Sequence, residues 1–286
     1  MAVAIVTDTT HYCPAEVLAA HGVQQVSLYI NDRGSTVREV DLTDLDGYYE
    51  RLKDQTSVPT TSQPSVGDFL AVYEPIAQQG DDIVSVHLSA ALSGTSQAAR
   101  QAGDEIQERY PGRRVEVLDS RSACAGLGGI VLAAAAGARA GKDVDAVLAH
   151  ARDALAAGKV WFAIDTLEYL RRGGRIGSAQ AWIGGALKIK PILTCDGDIQ
   201  PVERVRTSGK MFERMVGYLQ ELKDAGADCW YIQHIQTPDK ARELVDRGEA
   251  IMGVPPLFVG QLGPVIGTHL GPGMLGVGGM PARLHA

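Results

Sequence analysis

The chain has 286 residues, 45% of them hydrophobic and 21% charged, with a formal net charge of −7. It is long enough for one large or two medium domains with real cores, and a general nucleic-acid binder is disfavoured because nothing supplies a dominant basic face. Cys13, Cys124, Cys195 and Cys229 stand far apart, with no CxxC pair or zinc spacing, which fits small core residues in a reducing compartment.

The N-terminal MAVAIVTD lacks a basic n-region and its apolar run is strand-length, so no signal peptide is expected. Ala2–Thr7 reads as a first buried strand ending in the hydroxyl-rich Asp8-Thr9-Thr10. A short helix over Pro14–Ala20 and a second strand over Val23–Ile30 follow. Leu42-Thr43-Asp44 offers an N-cap for a helix to about Lys53. Pro59–Ser65 carries two prolines and four hydroxyls, which predicts irregular backbone. Ser65 then caps an amphipathic helix over Val66–Gln79, with Phe69, Leu70, Val72, Tyr73 and Ile76 at helical spacing.

The stretch 85–100, SVHLSAALSGTSQAAR, reads as strand, tight turn and helix: Ile83–Leu88, a small hydroxyl cluster with Gly94, then Thr95–Arg109. That unit sets N–H groups and hydroxyls at a helix N-terminus, where an anion is held. A strand over Arg114–Leu118 and helices over about 122–140 and 143–157 complete a βα-alternating half. The alternation predicts a mainly parallel sheet with helices on both faces. Ser122–Ala138 is charge-free but Ala/Gly-rich, and a buried helix suits it better than a membrane span.

Past Lys159 the pattern changes. Val160–Ile164 is strand-like and Thr166–Arg172 a short helix. Leu187–Thr194 and Ile199–Thr207 flank the hairpin turn Asp196-Gly197-Asp198. A helix over Gly209–Asp224, strand Cys229–Ile235, helix Pro238–Glu249 and strand Leu257–Gln261 follow. A second α+β domain starting near residue 157 fits, packed tightly on the first. Gly263–Gly273 reads as a rigid glycine-proline loop around His269, a candidate for touching a polar ligand head.

Polar turns gather at the predicted strand ends: Asp8-Thr9-Thr10, Thr60-Thr61-Ser62, Ser89–Thr95 and Asp119-Ser120. In an open parallel sheet, ligands sit at such ends. Each hydroxyl singly is better read as a turn or cap; the four together favour a site. Without GxxxxGK[ST], and with Gly126, Gly128 and Gly129 off the GxGxxG spacing, a nucleotide site is disfavoured and a carboxylate suits better. A Ser93 hydrolase or acyl transferase, with His87 or His269 as base, is the alternative, but Ser93 lies in LSGTS rather than GxSxG. No HExxH or histidine cluster points to a metal. Arg171, Arg172, Arg175, Lys188, Lys190, Arg204 and Arg206 form a cationic run suited either to solvent or to a phosphate-bearing partner.

Taken together, VTDTT (6–10), TTSQPS (60–65), LSGTSQ (92–97), DS (119–120), LEYLRRGGRIG (167–177), KPIL (190–193), VRT (205–207) and GTHLGPG (267–273) resemble the DegV family of bacterial fatty-acid-binding proteins. The order is kept across nearly the whole chain; Ser96 departs from a position where the family often has Tyr. The resemblance implies an α/β fold of two units: a Rossmann-like parallel-sheet domain over 1–156 and a smaller α+β domain over 157–286. A lipid tunnel lies between them, and the 62–77 segment is a candidate to cross. It implies a long-chain fatty acid whose carboxylate is held by Thr61 and Ser93, with the Gly94 N–H and His269 nearby, and no cofactor. It further implies a non-catalytic carrier that presents the acid to a separate ATP-dependent fatty acid kinase, which makes an acyl phosphate for phospholipid synthesis. Arg175 and Arg206 become candidates for kinase docking or for steadying the phosphorylated head. A cytoplasmic monomer without membrane insertion is expected. A regulatory module using lipid as filler is the third reading.

Overall fold

A computed structural model describes residues 2–53, 59–183 and 189–285. Its elements begin with β1 (Val3–Asp8), α1 (Ala15–Ala20), β2 (Gln24–Val26), β3 (Tyr29–Asp32), β4 (Ser35–Arg38), α2 (Leu45–Lys53), β5 (Thr60–Ser62) and α3 (Val66–Gln79). Next come β6 (Asp82–His87), α4 (Thr95–Arg109), β7 (Val115–Asp119), α5 (Cys124–Arg139), α6 (Val144–Ala157), β8 (Lys159–Ala163) and α7 (Glu168–Gly173). The chain closes with β9 (Lys190–Asp196), β10 (Asp198–Val205), α8 (Ser208–Asp224), β11 (Cys229–His234), α9 (Pro238–Met252), β12 (Phe258–Gln261), α10 (Pro264–Leu270) and β13 (Leu275–Met280).

The βα half forms a parallel sheet of order β2-β1-β6-β7. Residues of β6 are buried throughout, as a parallel strand covered on both faces must be. Phe69, Tyr73 and Ile76 of α3 and Ala102 and Ile106 of α4 pack on Val6 and Ile83. Leu127 and Val131 of α5 and Val147 of α6 pack on Ile5, Val84 and Val86 of the opposite face. The α3 start is a capping box: the Asp68 N–H donates to Ser65 Oγ (3.2 Å) and the Ser65 N–H to Asp68 Oδ2 (2.8 Å).

The second sheet is mixed, of order β10-β9-β8-β13-β11-β12, and α8 and α9 cover one face of it. α5 lies between the two sheets, buried from Ala125 to Gly137. Its glycines allow that approach. A Cβ at Gly128 would stand 2.5 Å from Cys13 Sγ, and one at Gly129 would stand 2.4 Å from Met280 Cε. Close packing is therefore their reason.

Four expectations need correction. Val23–Ile30 is not one strand. Leu28 takes its backbone bonds elsewhere, its N–H donating to Thr9 Oγ1 (3.3 Å) and its C=O accepting from the Glu39 N–H (2.8 Å), so the chain leaves the parallel sheet after β2. β3 then joins an antiparallel sheet of order β4-β3-β5. Thr60–Ser62 is thus a strand, not an irregular turn at a parallel strand's end. Pro59 and Pro64 flank the paired residues and cost the ladder no donor. Gly263–Gly273 is not a loop: Pro264 begins α10 and Gly271, at φ +74°, ends it, so proline and glycine act as start and stop. Finally, the 62–77 segment does not cross, since α3 packs under the parallel sheet. The segment that reaches the second core is 28–53, where Leu28, Ile30, Tyr48, Tyr49 and Leu52 pack with Phe162, Leu170 and Leu193. The residues expected to open the strand before Lys190 lie partly outside the described residues.

Candidate functional site

A cavity of about 360 Å³ lies between α5, α10 and the inner face of the second sheet, within the ~300–1,000 Å³ typical of small-ligand sites. Most of its wall is apolar: Leu88, Phe162, Leu170, Val265 and Leu270 contribute, with Gly276 keeping the floor low. Polar groups gather in one region. Thr61 comes from β5, Ser93 and Gly94 from the turn before α4, Arg175 from the segment after α7, and His269 from α10.

Thr61 Oγ1 and His269 Nε2 are 2.8 Å apart. The other ring nitrogen, Nδ1, is buried with no hydrogen-bond partner. A bondless N–H costs more than a bondless lone pair, which assigns the proton to Nε2. Thr61 therefore accepts from His269 and keeps its own hydroxyl proton to donate into the cavity. Burial, and next the Arg175 guanidinium, hold the imidazole down at about 4, so it is neutral at pH 7. The ring rests on Gly173, where a Cβ would come within 2.1 Å of Nδ1.

Ser93 Oγ is 2.9 Å from Thr95 Oγ1. Gly94 precedes the first residue of α4, and the Gln63 side chain fills the place a Cβ would take there, with Oε1 only 2.2 Å from it. Gln63, two residues beyond Thr61, thus seats the β5 segment on the Ser93 turn. Arg175 braces the same turn: its Nε donates to the Leu92 carbonyl (3.2 Å) and Nη1 to the Gly173 carbonyl (2.7 Å).

α10 holds its register through side chains from the first half of the chain. Glu39, fully buried, accepts from Thr9 Oγ1, from Tyr12 OH (2.7 Å) and from the Val265 N–H (2.9 Å). The Tyr12 oxygen accepts from the Ile266 N–H (3.1 Å). Two otherwise orphaned donors of the first helical turn are satisfied this way. Burial pushes the Glu39 carboxyl up, against the pull of its three donors. Tyr48 OH lies 2.6 Å from Thr268 Oγ1, and Tyr49 OH donates to the Leu262 carbonyl (2.8 Å).

The family model described as "Uncharacterised protein, DegV family" matches residues 2–282. The chain belongs to the DegV family. It is 40% identical over 278 residues to a DegV domain-containing protein of Streptomyces coelicolor, covering 96% of this chain and 97% of that one. It is 34% identical over 285 residues to Protein DegV of Bacillus subtilis, with 97% and 98% covered. Among solved structures, a fatty-acid-binding DegV family protein from Thermus thermophilus superposes with a TM-score of 0.88 at 33% identity, over 98% of this chain and all 100% of the other. DegV of Bacillus subtilis, described as a fatty acid binding protein, gives 0.86 at 33% identity, over 98% and 99%. The α/β architecture with its parallel sheet is the DegV fold.

In this DegV chain the cavity collects Thr61, Ser93, Gly94, His269 and Arg175. Arg206 is exposed and is not in the cavity wall. The cationic run is largely paired: Arg171 and Arg172 with Glu168 (2.7 and 2.6 Å), and Lys190 with Asp165 (2.5 Å). Arg204 stacks on Trp182 at 4.5 Å, and Lys188 lies outside the described residues. Ser96 is buried, its hydroxyl 3.5 Å from the Leu88 carbonyl.

Among the described residues the Ser93 hydroxyl pairs with Thr95 Oγ1, and His269 Nε2 pairs with Thr61 rather than with Ser93. His87 is engaged elsewhere: its Nδ1 is 3.0 Å from Asp8 Oδ2, and its Nε2 is 2.6 Å from Ser85 Oγ. Tyr73 OH donates to the same Ser85 oxygen (2.7 Å). This Ser-His-Asp chain has no exposed surface, so substrate has no access to it. Asp8 also accepts from the Thr10 and Leu88 N–H groups, at 3.0 and 2.9 Å, and so pins the loops leaving β1 and β6. Burial alone would raise the Asp8 carboxyl, but the His87 hydrogen bond and its neighbours hold it below the usual carboxylate value.

Gln63 and Glu39 escaped the sequence reading. Gln63 sits inside the TTSQPS segment, so proximity to Thr61 was a usable signal. Glu39 has none, because its partners are 30, 27 and 226 residues away.

Proposed function

We propose that this DegV-family chain holds a long-chain fatty acid in the apolar cavity, its carboxylate taking hydrogen bonds from Thr61 and Ser93 beside the Gly94 N–H. The observation that carries the reading is the Thr61–His269 pair at the polar end of an apolar cavity, with a neutral imidazole that leaves the threonine proton free. The bond order of affinities follows from chemistry. Burying about fourteen methylenes gains roughly 11 kcal/mol at ~0.8 each, before association costs. Hydrogen bonds to a charged head add about 1.5–3 kcal/mol each. The tail thus supplies affinity, and the hydroxyls fix the register of the head.

The carrier would present that head to a separate ATP-dependent kinase, which transfers a phosphoryl group to the carboxylate and releases ADP. Arg175, in the cavity wall beside the Ser93 turn, and the exposed Arg206 suit kinase docking or steadying of the phosphorylated head. Two units, 1–156 and 157–286, with 28–53 lent to the second, would close around the ligand. Among the described residues no helix is long and apolar enough to cross a membrane, and a cytoplasmic monomer remains our expectation. Mass spectrometry of the denatured, purified protein tests the binding: a long-chain acid should be released and should rebind to the delipidated chain. Release of none and rebinding of none would overturn the reading. Acyl-phosphate formation on adding an ATP-dependent kinase tests the presentation.

A further inference from the structure

The cavity lies between α5 and α10, so the separation of those helices sets its width. Ala125 and Gly126 stand in its wall on the α5 side, and Val265, Ile266 and Leu270 on the α10 side. Tyr12, in the loop after β1, is not in that wall, yet it is bonded toward both helices. On one side its hydroxyl donates to Glu39 Oε1 (2.7 Å) and accepts from the Ile266 N–H (3.1 Å). On the other its carbonyl accepts from Gln233 Nε2 (3.2 Å), while Gln233 Oε1 accepts from the Ala125 N–H (2.6 Å). Each link ends on a backbone N–H in the first turn of a helix. It therefore holds the helix itself and not only a side chain.

The surrounding chain is shaped for this tyrosine. Its backbone has φ +47°, in the left-handed region that a bulky residue seldom adopts. Such strain persists where neighbours over-determine the position. Gly263 leaves room for the ring, since a Cβ there would stand 2.6 Å from Tyr12 Cε1. Gly260 leaves room for the carbonyl, since a Cβ there would stand 2.9 Å from its oxygen. Burial, and next the Glu39 carboxylate, hold the phenol well above its usual pKa, so the proton it donates to Glu39 stays in place at neutral pH.

We propose that Tyr12 is a positioning residue that fixes the spacing of α5 and α10, and that this spacing makes the cavity selective for unbranched acyl chains. The selectivity rests on the cavity being a fatty-acid site. A close-packed wall does not widen by a methyl group without shifting one of its elements. Here a shift of either helix pulls an N–H off its acceptor and leaves it buried without a partner. A straight chain asks for no such shift, and a chain with a methyl branch at its middle does.

The test titrates the delipidated full chain with hexadecanoic acid and 8-methylhexadecanoic acid, which share a head and a length and differ by one methyl in width. Wild type should bind the unbranched acid roughly tenfold tighter or more, the discrimination that one carbon commands in a shaped apolar pocket. Tyr12→Phe keeps the ring and removes the hydroxyl. Gly263→Ala keeps Tyr12 but pushes its ring from its seat, and it changes no residue of the cavity wall. Either variant should bring the two affinities to within about threefold of each other. A role in stability alone would lower the melting point and leave the ratio as it is in wild type. A wild-type ratio already within about threefold, or an unchanged ratio in whichever variant folds, overturns the proposal while the fatty-acid site stands. If hexadecanoic acid itself does not bind to wild type, both readings fall together.

Discussion

Thr61→Val is the sharpest probe of the head clamp. Valine keeps the β-branched shape that β5 favours, so the strand opposite Ile30 should persist. The hydroxyl goes, and with it two things. The ligand carboxylate loses one donor, and the His269 N–H, held 2.8 Å from Thr61 Oγ1, loses its acceptor in a buried site. The first loss is a hydrogen bond to a charged group, about 1.5–3 kcal/mol, or roughly 10–150-fold in Kd. The second loss falls on the free protein, about 1–3 kcal/mol, and lowers its melting point. The two are separable by measurement. Calorimetric titration of delipidated protein with hexadecanoic acid at pH 7.5 reads the first, and thermal unfolding without ligand reads the second. Ser93→Ala, which does not touch His269, should weaken binding with a much smaller change in melting. An affinity for Thr61→Val within twofold of wild type would refute the assignment of Thr61 to the carboxylate, whatever the melting point does.

Three further outcomes follow from the same geometry. Gly173→Ala places a methyl 2.1 Å from the imidazole Nδ1 while improving the intrinsic helicity of α7; binding should fall by roughly tenfold or more while far-UV circular dichroism stays unchanged. Glu39→Ala strips the acceptor from Thr9, Tyr12 and the Val265 N–H together, and urea denaturation should show a loss of ~3 kcal/mol. The His269 imidazole is depressed from 6.5 to about 4 in the folded chain, so the unfolded chain binds more protons between those values. Its contribution to stability is therefore complete above pH 6.5 and is lost as pH falls toward about 4, a difference of roughly 3 kcal/mol. Unfolding of wild type and His269→Asn compared at pH 7.5, 5.5 and 4.5 reads that slope; parallel curves would refute it.

What the sequence discloses here divides by how far apart the partners lie. The α3 start was legible because Ser65 and Asp68 are three residues apart and cap one another. The strand-turn-helix around Ser93 was legible for the same reason, as both flanks carry their own periodicity. The clamp proposed for the ligand head draws on β5, the turn before α4, the end of α7 and α10, and its Thr61–His269 bond joins residues 208 positions apart. No local spacing can encode such a pair: residue chemistry marks His269 and the Thr60–Ser62 hydroxyls singly, and only likeness to the DegV motifs brings them to one ligand head. The β3–β4 hairpin was missed because its strands are four residues each and β4 is exposed throughout, leaving no buried alternation to read. The glycines show the limit most clearly. Gly94, Gly173 and Gly271 were each visible as letters, and only Gly271 is explained by its own φ. Gly94 is glycine because Gln63 occupies its Cβ position, and Gly173 because the His269 ring does. In both places the missing side chain makes room for a side chain at the cavity's polar region, yet the reason for it sits 31 residues upstream in one case and 96 downstream in the other.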